Sequence, residues 1–131
     1  MLILFMMDNK VNILFDDAVE KLNEASEELF KPKEDIATYV VCKNAQYAIE
    51  NFLKGYLLRN NINPDNFKTI DSLYKQCKTI NKNFKEIDLT DFECKSHKLD
   101  SRFCKEVSKV SNCFEVADNL DTFFRKENII K

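Results

Sequence analysis

The sequence is poor in the residues that make tight turns. One glycine, Gly55, and two prolines, Pro32 and Pro64, occur in 131 residues. β-Sandwiches and barrels need many tight turns, so this composition argues against an all-β fold. A single glycine also excludes the glycine-rich loops of P-loop and dinucleotide-binding proteins, whose backbone approaches a phosphate at several glycines. A few long helices joined by few corners fit the composition better.

Long apolar runs and a strong net charge are also missing. The apolar run MLILFMM ends at Asp8, is too short to span a membrane and lacks the basic start of a signal peptide. We expect this apolar N-terminal segment, residues 1–8, to pack on the bundle or on a dimer partner; a spurious start upstream of Met6 or Met7 is the alternative. The formal net charge of −2 gives no whole-molecule attraction for nucleic acid or an acidic membrane. We predict a single domain over residues 1–131 that is not attached to a membrane.

The five cysteines are odd in number, lack paired spacing and fall mostly in apolar helical positions. This pattern is typical of reduced thiols and predicts a cytoplasmic protein. A zinc site is the alternative, but its spacing does not match the familiar zinc motifs, and the later cysteines have core-like neighbours. A Cys-His catalytic site around His97 is a further alternative. The zinc alternative would use Cys94, His97, Cys104 and Cys113 as ligands. We predict no metal, no cofactor and no catalytic residue.

Apolar residues recur every three or four positions and predict four main helices. Proline at position 32 marks the first corner, and short amides with Pro64 mark the second. Thr69 or Asp71 should cap the third helix. Periodicity weakens over residues 85–99, where Thr90–Glu93 has the form of a capping box. The predicted helices cover about residues 9–30, 34–60, 69–84 and 101–126.

These helices predict an all-α, antiparallel up-and-down four-helix bundle, with a short extra helix or an irregular segment before the last helix. The second helix has the widest apolar face and should be central. The inward stripe of the first helix is predicted as Leu14, Ala18, Leu22, Ala25 and Leu29. Among the other buried residues we predict Phe52, Leu53, Val110, Phe114, Leu120 and Phe124.

A basic stripe follows the third helix. Lys75, Lys78, Lys82 and Lys85 recur at spacings of three and four. Aligned lysines can contact phosphates, and the resulting binding falls with salt. A solvated helix face accounts for the lysines equally well. We therefore consider them as candidate contacts for phosphate or nucleic acid.

The stretch from Asn44 to Leu58 resembles the second helix of HEPN domains, the "higher eukaryotes and prokaryotes nucleotide-binding" family. A small residue precedes Gln46, which is followed at four-residue spacings by Glu50 and Lys54. After a polar corner, Asp71-Ser72-Leu73 stands where the family often has His-Ser-Leu or His-Asp-Leu. The resemblance implies a four-helix bundle that often dimerises, so we expect a homodimer.

Many HEPN domains are ribonucleases that use an Arg followed by four to six residues and then a His. Arg102 is the counterpart of that arginine and a candidate phosphate contact. Val107, Ser108 and Lys109 occupy the positions of the histidine, so the motif is absent. The resemblance then implies a non-catalytic protein-interaction or nucleotide-binding module, working with a nucleotidyltransferase in a toxin–antitoxin or defence system. The alternatives are a degenerate or unconventional HEPN ribonuclease and a purely structural helical bundle.

Overall fold

The computed structural model describes the backbone of residues 2–89 and 107–130, and the side chains of residues 9–32, 34–89 and 112–130. The all-α prediction is confirmed, since the described residues contain α-helices and short 3-10 turns and no strand. Within the same residues, no helix is long and apolar enough to cross a membrane. The helices are α1 (Leu2–Leu29), α2 (Thr38–Arg59), α3 (Ile70–Ile80) and α4 (Val107–Lys126), and the 3-10 turns are Lys33–Asp35, Pro64–Asn66 and Lys82–Glu86.

Helix α2 is central, as predicted, because it contacts α1, α3 and α4. Aromatic contacts give the relative directions of the helices. Phe15 of α1 packs edge-on against Phe124 at the end of α4, whereas Phe30, just after α1, packs against Phe114. Helices α1 and α4 are therefore antiparallel. Phe52 also contacts Phe124, so α4 ends beside the second half of α2. These directions fit an up-and-down bundle.

Helix boundaries differ from the predicted ones at several ends. Helix α1 begins at Leu2 instead of residue 9, because the apolar N-terminal segment contains no glycine or proline and is rich in good helix formers. Helix α2 begins at Thr38, after a 3-10 turn, instead of at residue 34. Helix α3 ends at Ile80 instead of residue 84, because the Asn81 side chain accepts a hydrogen bond from the amide of Asn83 and opens a new turn. The predicted start of the last helix and the Thr90–Glu93 capping box lie outside the described residues.

The core confirms Phe52, Leu53, Leu120 and Phe124 as buried. Phe114, which was also predicted to be buried, is only partly buried and packs against the core. The side chain of Val110 lies outside the described residues. In α1 three residues of the predicted stripe, Ala18, Leu22 and Ala25, are buried, whereas Leu14 and Leu29 are partly exposed. Val11 and Phe15, on the N-terminal side of this row, are buried in addition.

Asparagine takes the left-handed position that glycine usually fills at a helix end. Asn61 and Asn128 have φ angles of 63° and 58°. After α2, Ile62 donates to the Leu57 carbonyl at 2.9 Å, and after α4, Ile129 donates to the Phe124 carbonyl at 2.8 Å. These are Schellman caps, which satisfy the last carbonyls of a helix. Both caps return an isoleucine to the core surface, where it is partly buried.

Candidate functional site

Gln46, Glu50 and Lys54 form a polar row along one face of α2, because their spacing of four returns each side chain to the same side. Gln46 and Glu50 are buried, with 3% and 7% of their surface exposed. Lys54 donates to Glu50 at 2.8 Å, and Gln46 donates to the Cys42 sulfur at 2.9 Å. Two hydrogen bonds within α2 therefore link members of this row to neighbours one turn away.

Burial governs the electrostatics of this row. Loss of water around Lys54 lowers its pKa, and the carboxylate of Asp65 acts in the opposite direction. The Lys54 ammonium group pairs with the buried Glu50 carboxylate on its own helix, and the more distant charge of Asp65 lies in the turn after α2. Removing Glu50 alone would leave Lys54 partly buried without its nearest partner, which is more costly than a lost surface pair.

Asp71, in the first turn of α3, lies in the same part of the surface as Lys75, Lys78 and Lys85. Thr69 caps this helix as predicted, since its hydroxyl accepts from the amide of Ser72 while Ser72 accepts from the amide of Thr69. The Asp71 carboxylate pairs with Lys75 one turn later at 3.1 Å. Of the four family-motif residues, three therefore form the row on α2, and Asp71 borders a different surface feature.

That feature is a cavity of about 510 Å³ between α3 and the segment that follows it, which we call the lysine cavity. Lys75 and Lys78 reach it from α3, and Lys85 reaches it from the 3-10 turn after α3. Lys82 is exposed but does not line it. The predicted continuous stripe of four lysines on one helix is therefore wrong in form, because α3 ends before Lys82. The cavity is lined by Asp71, Tyr74, Lys75, Lys78, Lys85, Ile87, Asp88 and Leu89.

A second cavity of similar volume lies where α2 and α4 end, and it contains Arg59 and Arg125. Both arginines have partners: Arg59 donates to the Ile129 carbonyl at 2.9 Å, and Arg125 pairs with Asp121 at 3.1 Å. Their charges also offset the negative ends of two helix dipoles. We regard these arginines as structural.

The predicted cysteine chemistry has a mixed outcome. Cys77 and Cys113 are free and buried, and burial raises the pKa of Cys77 to about 12. Cys42 is disulfide-bonded, so the expectation of reduced thiols is wrong there, and the cytoplasmic location stays a prediction. Over the described ranges, no group of three potential ligands is placed to hold a metal. Cys94, His97, Arg102 and Cys104 lie outside the described residues.

The role of the Tyr74 hydroxyl was not predicted from the sequence. This hydroxyl lies 2.9 Å from the carbonyl oxygens of both Phe84 and Ile87, and so ties the segment after α3 back onto that helix. The available signal is that a buried tyrosine hydroxyl needs a hydrogen-bond partner. This signal does not identify the partner.

The geometry defines an all-α domain whose central helix has a buried Gln-Glu-Lys row and whose third helix borders a lysine-lined cavity. Comparison with protein families matches residues 11–125 to the HEPN domain. The chain belongs to the HEPN domain family, as the Gln46, Glu50 and Lys54 spacing predicted. No curated protein and no solved structure matches the chain.

Proposed function

We propose that this HEPN domain is a non-catalytic, nucleotide-related binding module that acts with a protein partner. One observation carries the proposal: the histidine of the HEPN ribonuclease motif is missing, because Val107, Ser108 and Lys109 occupy its positions after Arg102. Histidine serves this chemistry because its unperturbed pKa of about 6.5 lets it exchange protons near neutral pH.

Two described side chains that titrate, Tyr74 and Cys77, are poor substitutes for that histidine. Phosphodiester cleavage without a metal needs a proton acceptor, a proton donor and a cation at the phosphate. Lysines can supply the cation. Burial raises the pKa of Tyr74 and raises that of Cys77 to about 12, which moves both groups further from neutrality. Neither of them is suited to replace the missing histidine.

A metal-free cleavage assay on structured and single-stranded RNA tests the non-catalytic part. The purified protein is expected to leave both substrates intact. Robust cleavage that is lost in both His97→Ala and Arg102→Ala would instead establish the degenerate ribonuclease. Cleavage that persists in both variants would identify a contaminating nuclease and would be removed by further purification.

The partner we propose is a nucleotidyltransferase of a toxin–antitoxin or defence system, as the family resemblance implies. Co-expression of the tagged domain with a nucleotidyltransferase encoded beside it should yield a stable complex on size exclusion. An adjacent nucleotidyltransferase that elutes separately from the domain at micromolar concentrations would contradict this partner and leave the purely structural alternative.

We also propose a homodimer. HEPN domains often dimerise, and the domain exposes large apolar side chains: Ile13 and Phe30 are 58% and 79% exposed. Sedimentation at tens of micromolar should give twice the chain mass, and deleting residues 1–7 tests whether the apolar N-terminal segment takes part. A strict monomer at that concentration would refute the dimer.

A further inference from the structure

The lysine cavity has an apolar floor and a cationic rim. Tyr74, Ile87 and Leu89 form the floor, and each is less than a tenth exposed. Lys78 and Lys85 stand at the rim with exposed side chains. The cavity is open to solvent, and its volume of about 510 Å³ is large enough for a small molecule, since such sites measure roughly 300–1,000 Å³. The cavity thus combines space, an apolar surface and positive charge.

The charges around the rim are not fully compensated. Lys75 is paired with Asp71 at 3.1 Å. Lys78 has its ammonium 5.5 Å from the centre of the Tyr74 ring, an attraction that leaves its positive charge in place. Within the described part of the chain, Lys78 and Lys85 make no ion pair. Asp88 also lines the cavity, so among the described lining residues three lysines face two aspartates.

The position of Lys85 is fixed by the contacts of its own segment. The hydroxyl of Tyr74 binds the carbonyls on either side of Lys85 in this segment, those of Phe84 and Ile87. The same segment is held to the end of α4, because Asn83 donates to Glu127 at 3.1 Å and Lys126 pairs with Glu86 at 2.9 Å. An ammonium group on an anchored segment loses less conformational freedom on binding a ligand than one on a free loop.

We propose that the lysine cavity binds the phosphate group of a nucleotide, either free or within an RNA chain, with Lys78 and Lys85 as its cationic contacts. The choice of a nucleotide rests on the proposed function; the choice of phosphate rests on the two ammonium groups, which bind phosphates as point charges. The apolar floor is suited to the base or sugar attached to that phosphate.

Lys82 provides a matched control, because it is an exposed lysine three residues before Lys85 that does not line the cavity. Fluorescence anisotropy of a labelled single-stranded RNA is measured with Lys78→Ala, Lys85→Ala and Lys82→Ala between about 50 and 200 mM salt. Lys78→Ala and Lys85→Ala should each weaken binding by about fivefold and reduce the salt slope by about one, whereas Lys82→Ala should change affinity by less than about twofold. All three variants should unfold at the wild-type temperature, since all three side chains are exposed.

Two further titrations separate the sources of the phosphate. A labelled nucleoside triphosphate that binds and loses affinity in Lys78→Ala identifies a free nucleotide. RNA binding that weakens in Lys78→Ala, with no binding of the nucleoside triphosphate, identifies the polymer. Either result supports the cavity. Equal losses in Lys82→Ala and Lys85→Ala, or no binding of either ligand, would overturn it. RNA cleavage would contradict the proposed function without affecting this inference, because the Lys78-dependent binding is measured independently.

Discussion

Gly55 lies where α2 meets the ring of Phe15. A Cβ atom at this position would come within 2.5 Å of the Phe15 Cε1 atom. The ring has little room to move, because its edge also packs against Phe124 with centroids 5.6 Å apart. The one glycine of the chain therefore allows a phenylalanine of α1 to pack directly on the backbone of α2.

The Gly55→Ala variant should be less stable than the wild type. Alanine favours the helix by about 0.5–1 kcal/mol, but overpacking in a filled core costs about 1–3 kcal/mol. We expect a net loss of about 1–2 kcal/mol in the free energy of unfolding, measured by urea denaturation.

The double variant Gly55→Ala with Phe15→Leu checks the cause. A smaller side chain at position 15 should reduce the cost of the added methyl group, which gives a coupling energy between the two positions. Strictly additive effects would show that the added methyl group is accommodated somewhere other than against Phe15.

The burial of Phe15 also shows which buried residues of α1 could not be predicted from the sequence. Periodicity identified Ala18, Leu22 and Ala25 correctly but favoured Leu14 and Leu29 over Val11 and Phe15 as their neighbours. Both choices give an apolar row on one face of the helix. The position of Gly55 on the facing helix decides between them, and that pairing is tertiary information.

At the scale of the element, the two Schellman caps give a clear prediction. A left-handed backbone costs an ordinary residue about 1–2 kcal/mol, a cost that glycine avoids and asparagine reduces. Asn61→Ala and Asn128→Ala should each lower the free energy of unfolding by about 1 kcal/mol, while Asn61→Gly and Asn128→Gly should be neutral or slightly stabilising. Thermal and urea unfolding of the four variants measures this, and alanine variants as stable as their glycine counterparts would contradict the assignment.

Tyr74 holds the segment after α3, so Tyr74→Phe should destabilise the protein by about 1–2 kcal/mol at neutral pH. Burial raises the pKa of Tyr74, and the charge of Asp88 adds to the rise. The folded protein therefore holds this proton more tightly than the unfolded chain does. The stabilisation is fully present below the unfolded pKa of about 10 and is lost as the pH rises toward the folded pKa.

The stability difference between wild type and Tyr74→Phe should consequently narrow above about pH 10, as measured by urea unfolding at pH 7 and pH 10.5. The raised pKa of Cys77 is common to both proteins and cancels in the comparison. A difference that stays constant over this range would show that Tyr74 does not titrate with folding.

The same tyrosine explains why the sequence analysis identifies the right lysines but predicts the wrong arrangement for them. Lys82 and Lys85 continue the spacing of Lys75 and Lys78, so local periodicity extends the helix past its true end. The Asn81 side chain and the Tyr74 hydroxyl stop the helix and fold the next segment back. Three of the four predicted lysines still meet at one cavity, because that segment returns to α3.

At the scale of the whole molecule, the sequence predicted the helical class, the central position of α2 and the family. Three local signals were sufficient for these conclusions: long stretches of apolar residues at helical spacing, few turn residues, and the spacing of Gln46, Glu50 and Lys54. The cavity depends on contacts between segments that local periodicity does not describe. Whether His97 and Arg102 act together in RNA cleavage is tested directly by the cleavage assay.

The extensive contact between α1 and α2 has a consequence for the order of folding. Among the described helices this pair makes the largest contact, and only residues 30–37 separate the two. Contacts between neighbouring helices close short loops and form early, whereas α4 must wait for a longer loop to close. We expect the α1–α2 hairpin to be largely formed in the transition state. In stopped-flow urea experiments, Ala25→Gly should then mainly slow refolding and Leu120→Ala should mainly accelerate unfolding; the reverse pattern would place the nucleus at α4.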